Sequence, residues 1–200
     1  KDNSINEVKN FIKEGLDVNT AYEEGETLLM IAAKYNSIDV AKLLIENEAD
    51  VNTENSRNQT AFSYVSIYNS LDVAKVLYNA GEKIDVEPVL KFSSIPRVNK
   101  KTPLMYAALY NSFEVAEFLI SKGVNIDSIE SGTNTALSFA VRNNSIEIAK
   151  IIMYKGKKFV NDALTYAAIY NSVSIAKYAI EAGANIGGPF KEAVKANSID

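Results

Sequence analysis

The stretch TPLMYAALYNSFEVAEFLISKGVNID, residues 102–127, decides how the rest of the chain is read. Thr102 can cap a helix with its hydroxyl, and Pro103 suits the first helical position, where a missing N–H is no loss. Leu104, Ala107 and Ala108 then share one helix face, and the two alanines let another helix approach closely. Asn111 tolerates the left-handed conformation that ends a helix. Ser112 reads as the N-cap of a second helix, with Glu114 facing the positive end of its dipole. Val115, Phe118 and Leu119 form that helix's apolar face, and Gly123 closes it. The unit is helix, tight turn, helix, loop. It cannot bury its apolar faces alone.

Copies of the turn recur along the chain. Asn-Ser pairs begin at Asn3, Asn36, Asn69, Asn111, Asn144, Asn171 and Asn197, with spacings of 33, 33, 42, 33, 27 and 26 residues. The helix openings are TLLMIAA from Thr27, TAFSYVS from Thr60, TPLMYAA from Thr102 and TALSFAV from Thr135. Tails such as ENEADVN from Glu46 and SKGVNID from Ser121 follow. This ordered set resembles the ankyrin repeat over nearly the whole chain. Tetratricopeptide repeats have a similar period, but they lean on Trp and Tyr-Ala-Phe positions, and this chain has no Trp. Two features depart from the family pattern. Its His is replaced by Met30, Ser63, Met105, Ser138, Thr165 and Lys191, and its inter-helix Gly by Asn at each turn. The resemblance implies an all-α solenoid of stacked helix-turn-helix units, with projecting loop or hairpin fingers in the first two thirds.

Composition narrows the function classes. Of 200 residues, 47% are hydrophobic and 23% charged, which suits a folded soluble chain. The net charge of −4 argues against a nucleic-acid footprint. No apolar run is long enough to span a membrane. Cysteine and histidine are both absent, which removes thiolate chemistry, the commonest general base and the commonest metal ligand. With no Gly-rich phosphate loop either, no nucleophile–base pair or cofactor site can be named. No compartment follows from the residues, and export is open if a signal peptide precedes residue 1.

A single ankyrin-repeat domain, 1–200, is expected. It comprises a half repeat 1–26, repeats at about 27–59, 60–101, 102–134, 135–161 and 162–187, and a half repeat 188–200. Glu7 and Asn10 stand where the next repeat has Val40 and Leu43, as in a terminal, water-facing unit. The chain opens on an outer helix without an inner partner and does not start with Met, so it is expected to be a piece of a longer array. The first loop carries Glu23, Glu24 and Glu26 around Gly25, and the second places Asn58 in the Gly slot. The third is longer by nine residues, and its insert 86–101 reads VEPVLKFSSIPRVNKK. That insert either folds back on a neighbouring repeat or contacts a partner. The last loops are too short for a projecting hairpin.

Ankyrin repeats bind proteins and are not catalytic, so the resemblance implies a protein-binding scaffold. The alternatives are a structural spacer in a longer repeat protein or a non-catalytic part of an enzyme. The slot before the turn Asn holds Tyr35, Tyr68, Tyr110, Asn143 and Tyr170, and the slot before that includes Lys34 and Arg142. In the family these slots line the concave groove. The expected contact set is Tyr35, Tyr68, Tyr110, Tyr170, Lys34 and Arg142 on the helices. Glu23, Glu24, Arg57, Phe92, Arg97, Lys100 and Lys101 complete it on the loops, with the deepest groove around Tyr68 and Tyr110. A second aromatic series, Tyr64, Tyr106, Phe139 and Tyr166, is assigned to packing between repeats. A monomer is expected, with a protein partner and no nucleic acid, small-molecule substrate, cofactor or metal.

Overall fold

The computed structural model describes residues 2–81, 84, 100–130, 132 and 134–187. Insert residues Phe92 and Arg97, together with 188–200, lie outside them. Among the described residues there are eleven α-helices and no β-strand. They fall into two compact units, residues 1–86 and 87–200.

The first unit holds α1 (Asp2–Lys13), α2 (Leu28–Lys34), α3 (Ile38–Glu46), α4 (Ala61–Tyr68) and α5 (Leu71–Asn79). The inner helices α2 and α4 pack together, and the outer row runs α1, α3, α5. The second unit repeats the plan. Its inner row is α6 (Pro103–Tyr110), α8 (Ala136–Arg142) and α10 (Lys157–Tyr170). Its outer row is α7 (Phe113–Ser121), α9 (Ile146–Met153) and α11 (Val173–Glu181). Ala33, Ala41, Ala107 and Ala108 are wholly buried where helices meet, as their small size predicts. Leu44, Leu77, Leu119, Ile148, Ile152 and Ile175 fill the space between the rows. Truncating one of these to Ala would cost about 2–5 kcal/mol.

Helix starts follow the sequence reading. The Thr27, Thr102 and Thr135 hydroxyls accept hydrogen bonds from the N–H groups of Met30, Met105 and Ser138, at 3.3, 3.2 and 3.2 Å. Helix stops follow it too. Asn36, Asn69, Asn111, Asn144 and Asn171 all have φ between 50° and 56°. The next N–H then reaches back five residues, as in Ser112 to Ala107 O at 2.9 Å, so orphaned carbonyls at the helix end are satisfied.

The turn serines correct the sequence reading. None of Ser37, Ser70, Ser112, Ser145 or Ser172 caps its own outer helix. Their ψ values of 70–80° depart from the extended ψ of the capping threonines, near 160°. The hydroxyl therefore turns away from the first-turn N–H groups. Ser145 Oγ instead donates to Ala108 O at 2.9 Å, and Ser172 Oγ to Val141 O at 2.8 Å, each on the preceding repeat's inner helix. In the first unit a cap comes from a neighbour. Asn36 Oδ1 accepts from the Val73 N–H in the first turn of α5. In such repeats an Asn-Ser turn fastens one unit to the next as well as bending the chain.

Fingers appear as short pinched loops. Tyr22 N–H donates to Glu26 O at 2.8 Å, Asn55 to Gln59 at 3.0 Å and Glu130 to Asn134 at 2.9 Å, the same four-residue closure each time. The first loop adds a 3-10 turn, Glu23–Gly25, and one antiparallel bridge between Ala21 and Thr27. Asn58, at φ 56°, fills the glycine slot as expected. After α9 there is no finger: α10 starts at Lys157, only four residues beyond Met153.

Candidate functional site

In the first unit, two fingers stack and reach the inner helices. Ser56 donates to Glu24 O through both its N–H, at 2.8 Å, and its hydroxyl, at 2.7 Å. Arg57 pairs with the Glu24 carboxylate, both side chains being more than half exposed. A Cβ on Gly25 would lie 3.2 Å from Asn55 Cα, and its φ is +79°, so this close approach requires glycine. The ion pair on top contributes little, at most about 1 kcal/mol.

Beneath the fingers, the Tyr64 hydroxyl donates to the Glu26 carboxylate and accepts from Asn55 Nδ2 at 3.2 Å. Burial, reinforced by the Glu26 hydrogen bond and charge, holds the Tyr64 hydroxyl well above its ordinary range, so it stays protonated. The Tyr64 ring lies 6.1 Å from that of Tyr68. Lys34 Nζ sits 5.6 Å from the centroid of Tyr68 and 5.6 Å from that of Tyr35. A continuous line of contacts therefore runs from Glu26 through Tyr64 and Tyr68 to Lys34 and Tyr35. Its far end is open to solvent, with Tyr35 68% and Tyr68 47% exposed. Cation–π attraction at such exposed rings contributes about 0.5–1 kcal/mol toward this arrangement.

The sequence-derived residues divide clearly. Lys34, Tyr35 and Tyr68 come together, and Glu24 pairs with Arg57 on the fingers. Glu23 is exposed in the 3-10 turn. In the second unit, Tyr110 is exposed and Tyr170 half-buried. Arg142 is exposed and lies 5.6 Å from the centroid of the Phe139 ring. Lys101 is committed to an ion pair with the nearly buried Glu130 at 2.6 Å and lies 5.5 Å from the same ring. Lys100 is half-buried. Tyr64, Tyr106 and Phe139 are buried as their packing role requires, and Tyr166 is half-buried. Sequence reasoning overlooked Asn55 and the role of Glu26. Asn55 lies 33 residues after Tyr22, at the matching point of the next finger.

Among the described residues no cluster of acids could hold a metal ion, and no helix is long and apolar enough to cross a membrane.

Comparison with known proteins agrees with this architecture. No curated protein sequence gives a significant match. The crystal structure of the human ASB11 ankyrin repeat domain aligns with a TM-score of 0.76 at 23% identity, over 92% of this chain and 81% of that one. A family model described as ankyrin repeats in three copies matches residues 1–88 and again 89–163. The chain belongs to the ankyrin repeat family.

Proposed function

We propose that the chain is a non-enzymatic scaffold whose protein partner docks on Tyr35, Lys34 and Tyr68, flanked by Glu23, Glu24 and Arg57. Ankyrin repeats are in general protein–protein interaction modules and generally non-catalytic. The observation that carries the reading is the pair of exposed tyrosine rings sharing one lysine. Such rings offer a large contact area, a hydroxyl to satisfy and little rotamer entropy to lose. Exposed aromatics held in place beside mixed charges match the composition of binding surfaces, whereas a spacer needs only a polar, unpatterned surface. In the second unit the same proposal extends to Tyr110, Arg142, Tyr170, Lys100 and Lys101, and on the insert to Phe92 and Arg97.

The test is a paired pull-down. Wild type and the Tyr35→Ala/Tyr68→Ala variant are used as bait, and captured proteins are compared by mass spectrometry. A partner retained by wild type and lost from the equally folded variant supports the reading. Identical capture by both baits sinks it.

A further inference from the structure

The fingers of the first unit cover one another, but among the described residues the second unit's loop carrying Ile126, Asp127 and Ile129 has no following finger. Its open side faces the first turns of α10, and a cleft of about 200 Å³ lies between them. That is smaller than the roughly 300–1,000 Å³ of small-molecule sites and is the scale of one inserted side chain. Ile129, Leu137 and Phe159 supply apolar walls, while Asp162 and Tyr166 of α10 supply polar groups. Ile129 remains 44% exposed.

The charges in the cleft are unbalanced. Lys158 Nζ donates to Asp127 Oδ2 at 3.0 Å rather than to Asp162. The half-buried Asp162 carboxylate makes no hydrogen bond or ion pair with the described residues. Two carboxylates and one ammonium leave an excess of one negative charge. Burial pushes the Asp162 carboxyl above its ordinary range, with Asp127 adding to the shift and Lys158 opposing it. Lys158 is the one cation among the described residues that line the cleft, and its hydrogen bond goes to Asp127.

We propose that this cleft receives an arginine side chain of the protein partner, its stem against Ile129 and Phe159 and its guanidinium on the Asp162 carboxylate. Arginine fits both halves of the site. Its methylene stem covers apolar surface, and its planar fork matches a carboxylate with two parallel hydrogen bonds. The proposal rests on the protein-binding reading above but concerns a separate surface.

The experiment titrates N-acetyl-arginine-N-methylamide into the full chain and follows the backbone amide resonances of Asp162 and Tyr166. Saturable shifts are expected on the order of millimolar concentration, as one side chain allows. Capped norleucine should give none, and Asp162→Asn should weaken binding roughly tenfold or more. Lys158→Ala, which removes a competing cation, should tighten it. Norleucine binding equal to arginine, or an Asp162→Asn variant that binds as wild type does, overturns the proposal. Capped lysine binding as tightly as arginine overturns the guanidinium assignment. The probe is arginine alone, so failure here leaves the Tyr35–Lys34–Tyr68 surface untouched, and failure of the paired pull-down leaves this cleft untouched.

Discussion

Asn36 Oδ1 accepts a 3.2 Å hydrogen bond from the backbone N–H of Val73, 37 positions along the chain. The residue that ends one repeat's inner helix thus caps the next repeat's outer helix, which stacking alone would not require. Neighbouring repeats are coupled through their turns as well as their apolar faces, which strengthens the nearest-neighbour cooperativity of such arrays.

That coupling separates two glycine substitutions. The Asn144 side chain makes no hydrogen bond with the described residues, although its φ is 54°. Asn144→Gly should therefore be neutral or slightly stabilising, since glycine takes this conformation freely. Asn36→Gly should cost about 1 kcal/mol, because the cap on α5 is lost. Alanine at either site adds backbone strain of about 1 kcal/mol. Urea unfolding of the four variants checks this, and equal midpoints for the two glycine variants would refute a capping role for Asn36.

Ser145 gives a second contrast. If it were an ordinary N-cap, Asp would replace it well. It is instead wholly buried and donates to Ala108 O, which a carboxylate cannot do. Ser145→Ala should cost about 1–2 kcal/mol, and Ser145→Asp clearly more through its buried charge. An aspartate variant as stable as wild type in denaturant titration would restore the cap assignment.

Glu48 stands at φ 66° at the end of α3, where the outer helices α5, α7 and α11 are followed by Gly81, Gly123 and Gly183. Its left-handed backbone is strained without need. Glu48→Gly should raise stability by about 0.5–1 kcal/mol, readable as a higher urea midpoint. A lower midpoint would mean that its side chain stabilises the fold.

The repeat plan was legible because capping and stopping are local chemistry. Thr, Pro, Asn and Gly report their backbone conformation within a few residues, and all five turn asparagines adopt the expected sign of φ. The serine role was not legible, because its partner is a carbonyl 37 residues away in one case and 31 in the other. Tyr35 and Tyr68 could be aligned from the sequence, but only the fold shows that one lysine serves both rings. The missing finger before α10 was legible as a short loop, but the cleft at Asp162 also depends on α10 starting at Lys157, ahead of the expected repeat start at 162, and no capping motif marks that start.

Stability near Asp162 should depend on pH in a defined direction. Its carboxyl is raised, mainly by burial, so the native state holds this proton more tightly than the unfolded chain. The native state binds more protons, and stability falls as pH rises through the raised pKa. Lys158, Asp127 and Tyr166 face the same group and set the size of the effect. Asp162→Asn removes it. The variant should gain on wild type as pH rises from the ordinary carboxylate range through the raised pKa, and keep a constant lead above it. A difference that does not change with pH would show that Asp162 is as free in the folded protein as in the unfolded one.

The most direct test of the scaffold reading measures affinity and stability together in Tyr35→Ala/Tyr68→Ala. A partner captured by wild type is titrated calorimetrically into both proteins, and their thermal midpoints are recorded. Because Tyr35 is 68% and Tyr68 47% exposed, the midpoint should move by no more than about 2 °C, while affinity falls by about 2 kcal/mol, roughly thirtyfold. A collapsed midpoint with unchanged affinity per folded molecule would contradict the account and make the tyrosines part of the packing.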